Sequence, residues 1–185
     1  VIGTSAGGVD ALSVLLPALR AEVQPAVFVV IHLPRERPSL LVDLFGARCA
    51  VPVREAQDKE PVAPGTVYFA PPDYHLLVDE GPRIALSADE LVNFSRPSVD
   101  VLFESAADVY GSRLLGVVLT GASHDGASGL AAVHRAGGRT VVQRPATAHM
   151  PVMVEAALER TPSATVLSLP EIADLLASLP WRGAP

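Results

Sequence analysis

The chain is poor in the residues that mark several functional classes. It holds a single cysteine, Cys49, so no intramolecular disulfide and no cysteine-based zinc site can form, and a reducing, cytoplasmic setting is expected. Lys59 is the only lysine and the arginines are scattered, which leaves no basic stripe; with a formal net charge of −6, nucleic acid is not an expected partner. No apolar run approaches the ~18 residues of a membrane span, and no signal peptide is visible, so no direct membrane insertion is expected. Internal repeats and low-complexity tracts are also missing.

What is present is a core. Hydrophobic residues make up 49% of 185 and charged ones 18%, a balance that fits one globular domain. The chain opens on Val1, inside what reads as a strand, as a domain trimmed from a longer protein would. Residues 180–185 read as a frayed tail.

Apolar periodicity sets the order of elements. Val9, Leu12, Leu16 and Leu19 recur at helical spacing after Gly8, and residues 26–31 form a continuous β-branched run that suits a strand buried on both faces. A helix is expected over 38–47, a short edge strand at 51–53, a strand at 66–70, and a hairpin from 75–79 and 83–87 around Glu80-Gly81-Pro82. Val99, Leu102, Phe103, Ala106, Ala107 and Tyr110 form a helical stripe. Strands at 114–119, 139–143 and 164–167 then alternate with helices at 126–136, 151–159 and 170–179. This alternation predicts an α/β fold, a doubly wound, mostly parallel sheet sandwiched by helices, with a short antiparallel hairpin.

Gly3-Thr4-Ser5-Ala6-Gly7 fits the G-x-S-x-G pattern, in which glycines allow a sharp strand-to-helix turn that exposes a serine Oγ. Backbone N–H groups of Ala6 and Gly7, at the helix start, are candidates to hold an oxyanion. The same stretch also suits a glycine-rich phosphate-binding turn or a plain tight corner. A dinucleotide site asks for an acid near the end of the second strand, where this chain has His32, and a P-loop asks for a lysine that the first loop lacks.

Ligands bind outside the carboxyl ends of strands in open parallel sheets. Ser5 follows the first strand, His32 the second, and Asp125 lies in the loop after the 114–119 strand, so all three face one edge. Serine as nucleophile, histidine as base and aspartate as the group that fixes the histidine tautomer are the parts of acyl transfer. Each also has an ordinary explanation: a strand-end histidine, or an Asp125-Gly126 pair capping the next helix. His124 is a rival base by its position beside Asp125. Tyr74 and His75 precede the hairpin, where they are placed to line the cleft without a catalytic role.

Four blocks occur in order: Ile2-Gly3-Thr4-Ser5-Ala6-Gly7-Gly8, Val29-Val30-Ile31-His32-Leu33-Pro34, Arg96-Pro97-Ser98-Val99-Asp100-Val101-Leu102-Phe103, and Leu119-Thr120-Gly121 with Asp125-Gly126-Ala127. Together they resemble the catalytic domain of the chemotaxis protein-glutamate methylesterases (CheB), over nearly the whole chain. The resemblance implies Ser5 as nucleophile, His32 as base and Asp125 as orienting acid, with no metal or cofactor. Thr4, Arg96, Ala122 and Met150 are substrate-cleft candidates, although Arg96-Pro97-Ser98 reads first as the start of a helix and Met150 first as loop packing. It implies hydrolysis of glutamyl γ-methyl esters, with glutamine deamidation beside it, on the cytoplasmic helices of methylated chemoreceptors. It also implies a phosphorylated N-terminal receiver domain as regulator, which this chain does not contain. Ala122-Ser123 stand where the family usually has Met-Gly, His124 precedes Asp125, and His149 and Arg144 occupy further unusual positions. Two other readings stand beside this one: a receptor-binding module without hydrolysis, motivated by those departures, and a serine esterase for another ester.

Overall fold

A computed structural model describes residues 1–22, 25–33 and 40–179. The chain runs through β1 (Ile2–Thr4), α1 (Gly8–Leu15), β2 (Val27–Ile31), α2 (Leu41–Gly46), β3 (Val53–Glu55), β4 (Val67–Phe69), β5 (His75–Asp79), β6 (Arg83–Ser87), α3 (Val99–Tyr110), β7 (Leu115–Val118), α4 (Ala127–Arg135), β8 (Arg139–Gln143), α5 (Val152–Arg160), β9 (Thr165–Leu167) and α6 (Leu169–Ala177). Seven strands form one sheet in the order β3-β4-β2-β1-β7-β8-β9, and every pairing in it is parallel. β5 and β6 make a separate antiparallel hairpin, with His75 opposite Ser87 and Asp79 opposite Arg83.

Alternation along each strand feeds two cores. Val27, Val29 and Ile31 point to one face with Val67, Phe69 and Val117, where Leu12, Leu15 and Leu16 of the first helical segment, Phe45 of α2 and Ile172 of α6 cover them. Phe28, Val30, Tyr68, Val118 and Val142 point to the other face, beneath Leu102 and Phe103 of α3, Leu130 of α4 and Val154 of α5. Each face carries an aromatic stack: Phe45 on Phe69 with centroids 5.6 Å apart, and Phe28 on Tyr68 at 5.5 Å. A side chain of this size contributes about 1.5–3 kcal/mol when fully buried, so the two-sided core dominates the stability of the sheet.

The edge strand begins two residues later than the sequence suggests. Pro52 has no N–H to give, so its only ladder contribution is the carbonyl that accepts from Val67 N (2.9 Å). The expected helix over 38–47 is observed from Leu41; its first residues, and the tail at 180–185, lie outside the described residues. Among the described residues no helix is long and apolar enough to cross a membrane.

The topology places the site. From β1 the chain passes through α1 on one face of the sheet, and from the adjacent β7 it passes through α4 on the other. The carboxyl ends of β1 and β7 therefore form the switch point of the doubly wound sheet, the place where such sheets hold their ligands.

Candidate active site

β1 ends at Thr4, whose buried hydroxyl donates to Thr120 O (2.8 Å) just past β7. Ser5 N donates to the same carbonyl (3.0 Å). Gly7 then turns the chain with φ +80° at the N-cap of α1, a conformation that favours glycine. A Cβ on Gly7 would also sit 2.6 Å from His149 Cβ. Ser5 is half-buried, and its Oγ makes no hydrogen bond among the described residues. The N–H groups of Ala6 and Gly7 are likewise unused there, at the positive end of α1.

His32 N donates to Thr4 O (3.2 Å), and Thr4 is in register with Ile31. Ser5 and His32 thus leave adjacent strands side by side. The His32 ring, 15% exposed, places Nε2 2.8 Å from Asp125 Oδ2, while the Asp125 side chain is fully buried. With Nε2–H given to the carboxylate, Nδ1 is the free base nitrogen. The structure therefore joins His32 to Asp125 directly and sets Ser5 beside them without a Ser5–His32 hydrogen bond.

Asp125 receives four further donors. Oδ1 accepts from Asn93 Nδ2 (2.9 Å), Ser98 Oγ (2.7 Å) and Asp100 N (3.2 Å), and Oδ2 accepts from Val99 N (2.6 Å). Ser98, Val99 and Asp100 are the N-cap and first turn of α3, so Asp125 caps α3 and not, as the sequence suggested, the helix that follows it. Burial, the largest single influence, pushes its carboxyl up. The hydrogen bonds from His32, Asn93, Val99 and Ser98 together outweigh burial and hold it below the ordinary carboxylate value.

Asp100 returns the arrangement. Its Oδ1 accepts from Gly126 N (2.9 Å) and Gly129 N (2.6 Å), at the N-terminus of α4. Each helix start is capped by a carboxylate carried on the other segment. Burial pushes the Asp100 carboxyl up, aided by repulsion from Asp125 and opposed by its hydrogen bonds.

Thr120 ties the remaining loops. Its N–H donates to Gln143 Oε1 (2.9 Å), its hydroxyl donates to Ala6 O (2.9 Å), and the same oxygen accepts from Met150 N (2.9 Å). Gly121 N donates to Met150 O (3.0 Å). The Ser5 turn and the loop bearing Met150 are therefore held by one buried threonine.

Arg96 turns to its own chain: Nε and Nη2 donate to Asp73 Oδ1 (3.1 and 2.8 Å), and Nη1 donates to Ala88 O and Asp89 O (both 2.7 Å). It fixes the loop between the hairpin and α3. Ala122 and His124 are exposed, Met150 is half-buried and Tyr74 is exposed. His75 is buried, its Nδ1 accepting from Ser98 N (3.2 Å) and its Nε2 donating to Glu90 O (2.9 Å). Among the described residues no three His, Cys, Asp or Glu side chains gather as a metal ion requires.

Asn93, Ser98, Asp100, Thr120 and Gln143 escaped the sequence reading. Ser98, Asp100 and Thr120 stand in the blocks at 96–103 and 119–121, but only the fold shows what they hold.

The family model described as CheB methylesterase matches residues 1–176. A relative from Leptospira interrogans is 43% identical over 179 residues, covering 97% of this chain and 93% of its own. A protein-glutamate methylesterase/protein-glutamine glutaminase from Symbiobacterium thermophilum is 40% identical over 183 residues, covering 99% of this chain but 51% of its own. The chain thus spans about half the length of that relative. The crystal structure of the Thermotoga maritima CheB methylesterase catalytic domain superposes with a TM-score of 0.90 at 31% identity, over 95% of each chain.

Proposed function

The chain belongs to the CheB methylesterase family, and on that premise we propose that it hydrolyses glutamyl γ-methyl esters on a protein substrate by a Ser5–His32–Asp125 mechanism. The observation that carries this reading is the 2.8 Å His32–Asp125 pair standing beside the Ser5 turn. Asp125 holds Nε2–H and so leaves Nδ1 unprotonated toward Ser5. Catalysis requires Ser5 Oγ to come within about 2.6–3.2 Å of that nitrogen. His32 then takes the serine proton as Oγ attacks the ester carbonyl. The tetrahedral oxyanion is met by the N–H groups of Ala6 and Gly7. Collapse breaks the bond to the methoxy oxygen, which leaves as methanol with the proton from His32. Water, activated by the same nitrogen, attacks the acyl-enzyme and returns a glutamate carboxylate and free Ser5.

A glutamine side chain fits the same sequence of steps with ammonia leaving. Methylated cytoplasmic helices of chemoreceptors are the substrates we assign, and the cytoplasm is the compartment that follows. Residues 1–185 are one catalytic domain in this reading, and a phosphorylated receiver domain is its regulator. Of the cleft candidates, Thr4 is fully buried and Arg96 is held by its own chain, so they support the site from within, while exposed Ala122 and half-buried Met150 are the ones accessible to a substrate.

The test is methanol release from methylated chemoreceptor membranes by the wild type and by Ser5→Ala. Release that disappears with Ser5 supports the methylesterase. Cleavage of a small aryl ester without methanol release points to another ester substrate, and turnover unchanged in Ser5→Ala overturns the assignment.

A further inference from the structure

Between the hairpin and α3 the chain makes a two-residue turn at Asn93 and Phe94. Val92 and Ser95 exchange backbone hydrogen bonds across it (3.1 and 2.9 Å), and both central residues have positive φ, 51° and 60°. That is the geometry of the tight hairpin turn with two left-handed residues, in which asparagine is favoured and a bulky residue is unusual. Departures of this kind concentrate where a side chain must be aimed. Here the turn aims the Asn93 amide, whose Nδ2 donates one proton to Asp125 Oδ1 (2.9 Å) and the other to Asp100 Oδ2 (2.8 Å). The residue itself is exposed and, with Glu90, Leu91, Phe94 and Arg96, walls an open surface cavity of about 670 Å³. Of the four donors to Asp125 besides His32, Asn93 is thus the exposed one, Ser98, Val99 and Asp100 being buried.

We propose that Asn93 is a positioning residue of the active site, a neutral bridge between two buried carboxylates that sets the basicity of the His32–Asp125 pair. The proposal rests on the Ser5–His32–Asp125 reading for its kinetic consequences, but not for its effect on His32. Asp125 is faced by His32 from the end of β2, by Asp100 and Glu104 from α3, and by the uncharged Asn93 and Ser98. No cation other than His32 is within hydrogen-bond reach of it among the described residues. Withdrawing one donor leaves the carboxylate ionised, with its charge concentrated on the remaining contacts. A more basic carboxylate holds the imidazolium more tightly, so the pKa of His32 rises. His32 must be neutral to accept the Ser5 proton, and the acid limb of the rate profile then moves to higher pH.

Two variants separate this from a structural role of the turn. Asn93→Gly keeps the positive φ and deletes the amide. Asn93→Asp keeps the shape and the turn preference but adds a third carboxylate. The readout is the pH titration of the His32 ring by NMR, which requires no substrate, with circular dichroism to establish the fold. Asn93→Gly should raise the His32 pKa by roughly half to one pH unit, and Asn93→Asp by more. In turnover, the acid limb of kcat should move by the same amount, with KM changed less than kcat. His32 titrating within about 0.2 pH unit of wild type in both folded variants overturns the proposal. Should wild-type turnover prove independent of Ser5 while His32 still shifts, the catalytic reading fails and the bridge stands.

Discussion

Replacing Asp125 by asparagine keeps size and shape and removes one acceptor, so its effects can be worked through atom by atom. Two donors converge on Oδ2, His32 Nε2 and Val99 N, and three on Oδ1, from Asn93, Ser98 and Asp100. An amide that keeps its oxygen at the Oδ1 position satisfies the larger group. Its NH2 then faces Val99 N, which loses its acceptor, and His32, which can adapt only by giving up the proton on Nε2. An orphaned buried N–H costs about 1–3 kcal/mol, and the lost negative charge at the start of α3 adds roughly 0.3–1 kcal/mol. Asp125→Asn should therefore be destabilised by about 1–4 kcal/mol in urea unfolding. Its His32 should carry the proton on Nδ1, the nitrogen that has to be a base toward Ser5. In serine proteases the equivalent tautomer error costs about 10⁴ in kcat, and a loss of that order is expected here. The pH dependence has a definite sign. The folded Asp125 carboxyl lies below its ordinary value of 3.8, so its stabilisation is full above that value and is lost as pH falls through the folded pKa. The stability gap between wild type and variant should be widest near neutrality and close below pH 3.8. A gap under about 0.5 kcal/mol at pH 7, or one that widens in acid, would refute the reasoning.

Thr120→Val removes the hydroxyl at nearly constant volume, leaving Ala6 O without its donor and Met150 N without its acceptor. We expect a loss of about 1–3 kcal/mol in denaturant unfolding and a fall in kcat, because the Ser5 turn loses its anchor. Gly121→Ala would drive a methyl into the Met153 side chain and to 3.0 Å from Ser5 Cβ. Overpacking of about 1–3 kcal/mol should appear in thermal unfolding, with turnover falling further than stability alone explains.

The strands were legible because a parallel sheet covered on both faces demands continuous apolar runs, and residues 26–31 and 114–119 have no other good reading. The hairpin limits agreed with the structure at both strands because Glu80-Gly81-Pro82 leaves a two-stranded ribbon little choice of register. That Ser5, His32 and Asp125 share one edge followed from chain order and the rule of carboxyl ends. The supporting residues were not legible, since their roles exist only between elements. Asp100 reads as an ordinary first-turn acid of its own helix, yet its carboxylate serves α4. Asn93 sits in a polar loop whose sequence shows a turn and nothing of its target. Thr120 lies at a strand end, where a β-branched residue is unremarkable, and its three partners come from segments up to 114 residues away.

The crossed caps change how much each member of the triad says about function. The N-termini of α3 and α4 are both buried and lie within reach of one another's carboxylates, and burying their partial positive charges together is unfavourable without anions. Asp125 and Asp100 supply those anions, each for the other's helix. Asp125 is therefore required to pack α3 against α4 whether or not any ester is cleaved, and its presence argues for the fold before it argues for catalysis. His32 depends less on the fold, since it receives one side-chain contact from Asp125 and is partly exposed. Ser5 Oγ supports nothing: no hydrogen bond among the described residues uses it. Stability alone would accept alanine there as readily as serine, so the fold gives no reason of its own for a serine at that position. That asymmetry makes Ser5→Ala the sharpest separation of activity from folding in this molecule, with unfolding free energy expected within about 0.5 kcal/mol of wild type.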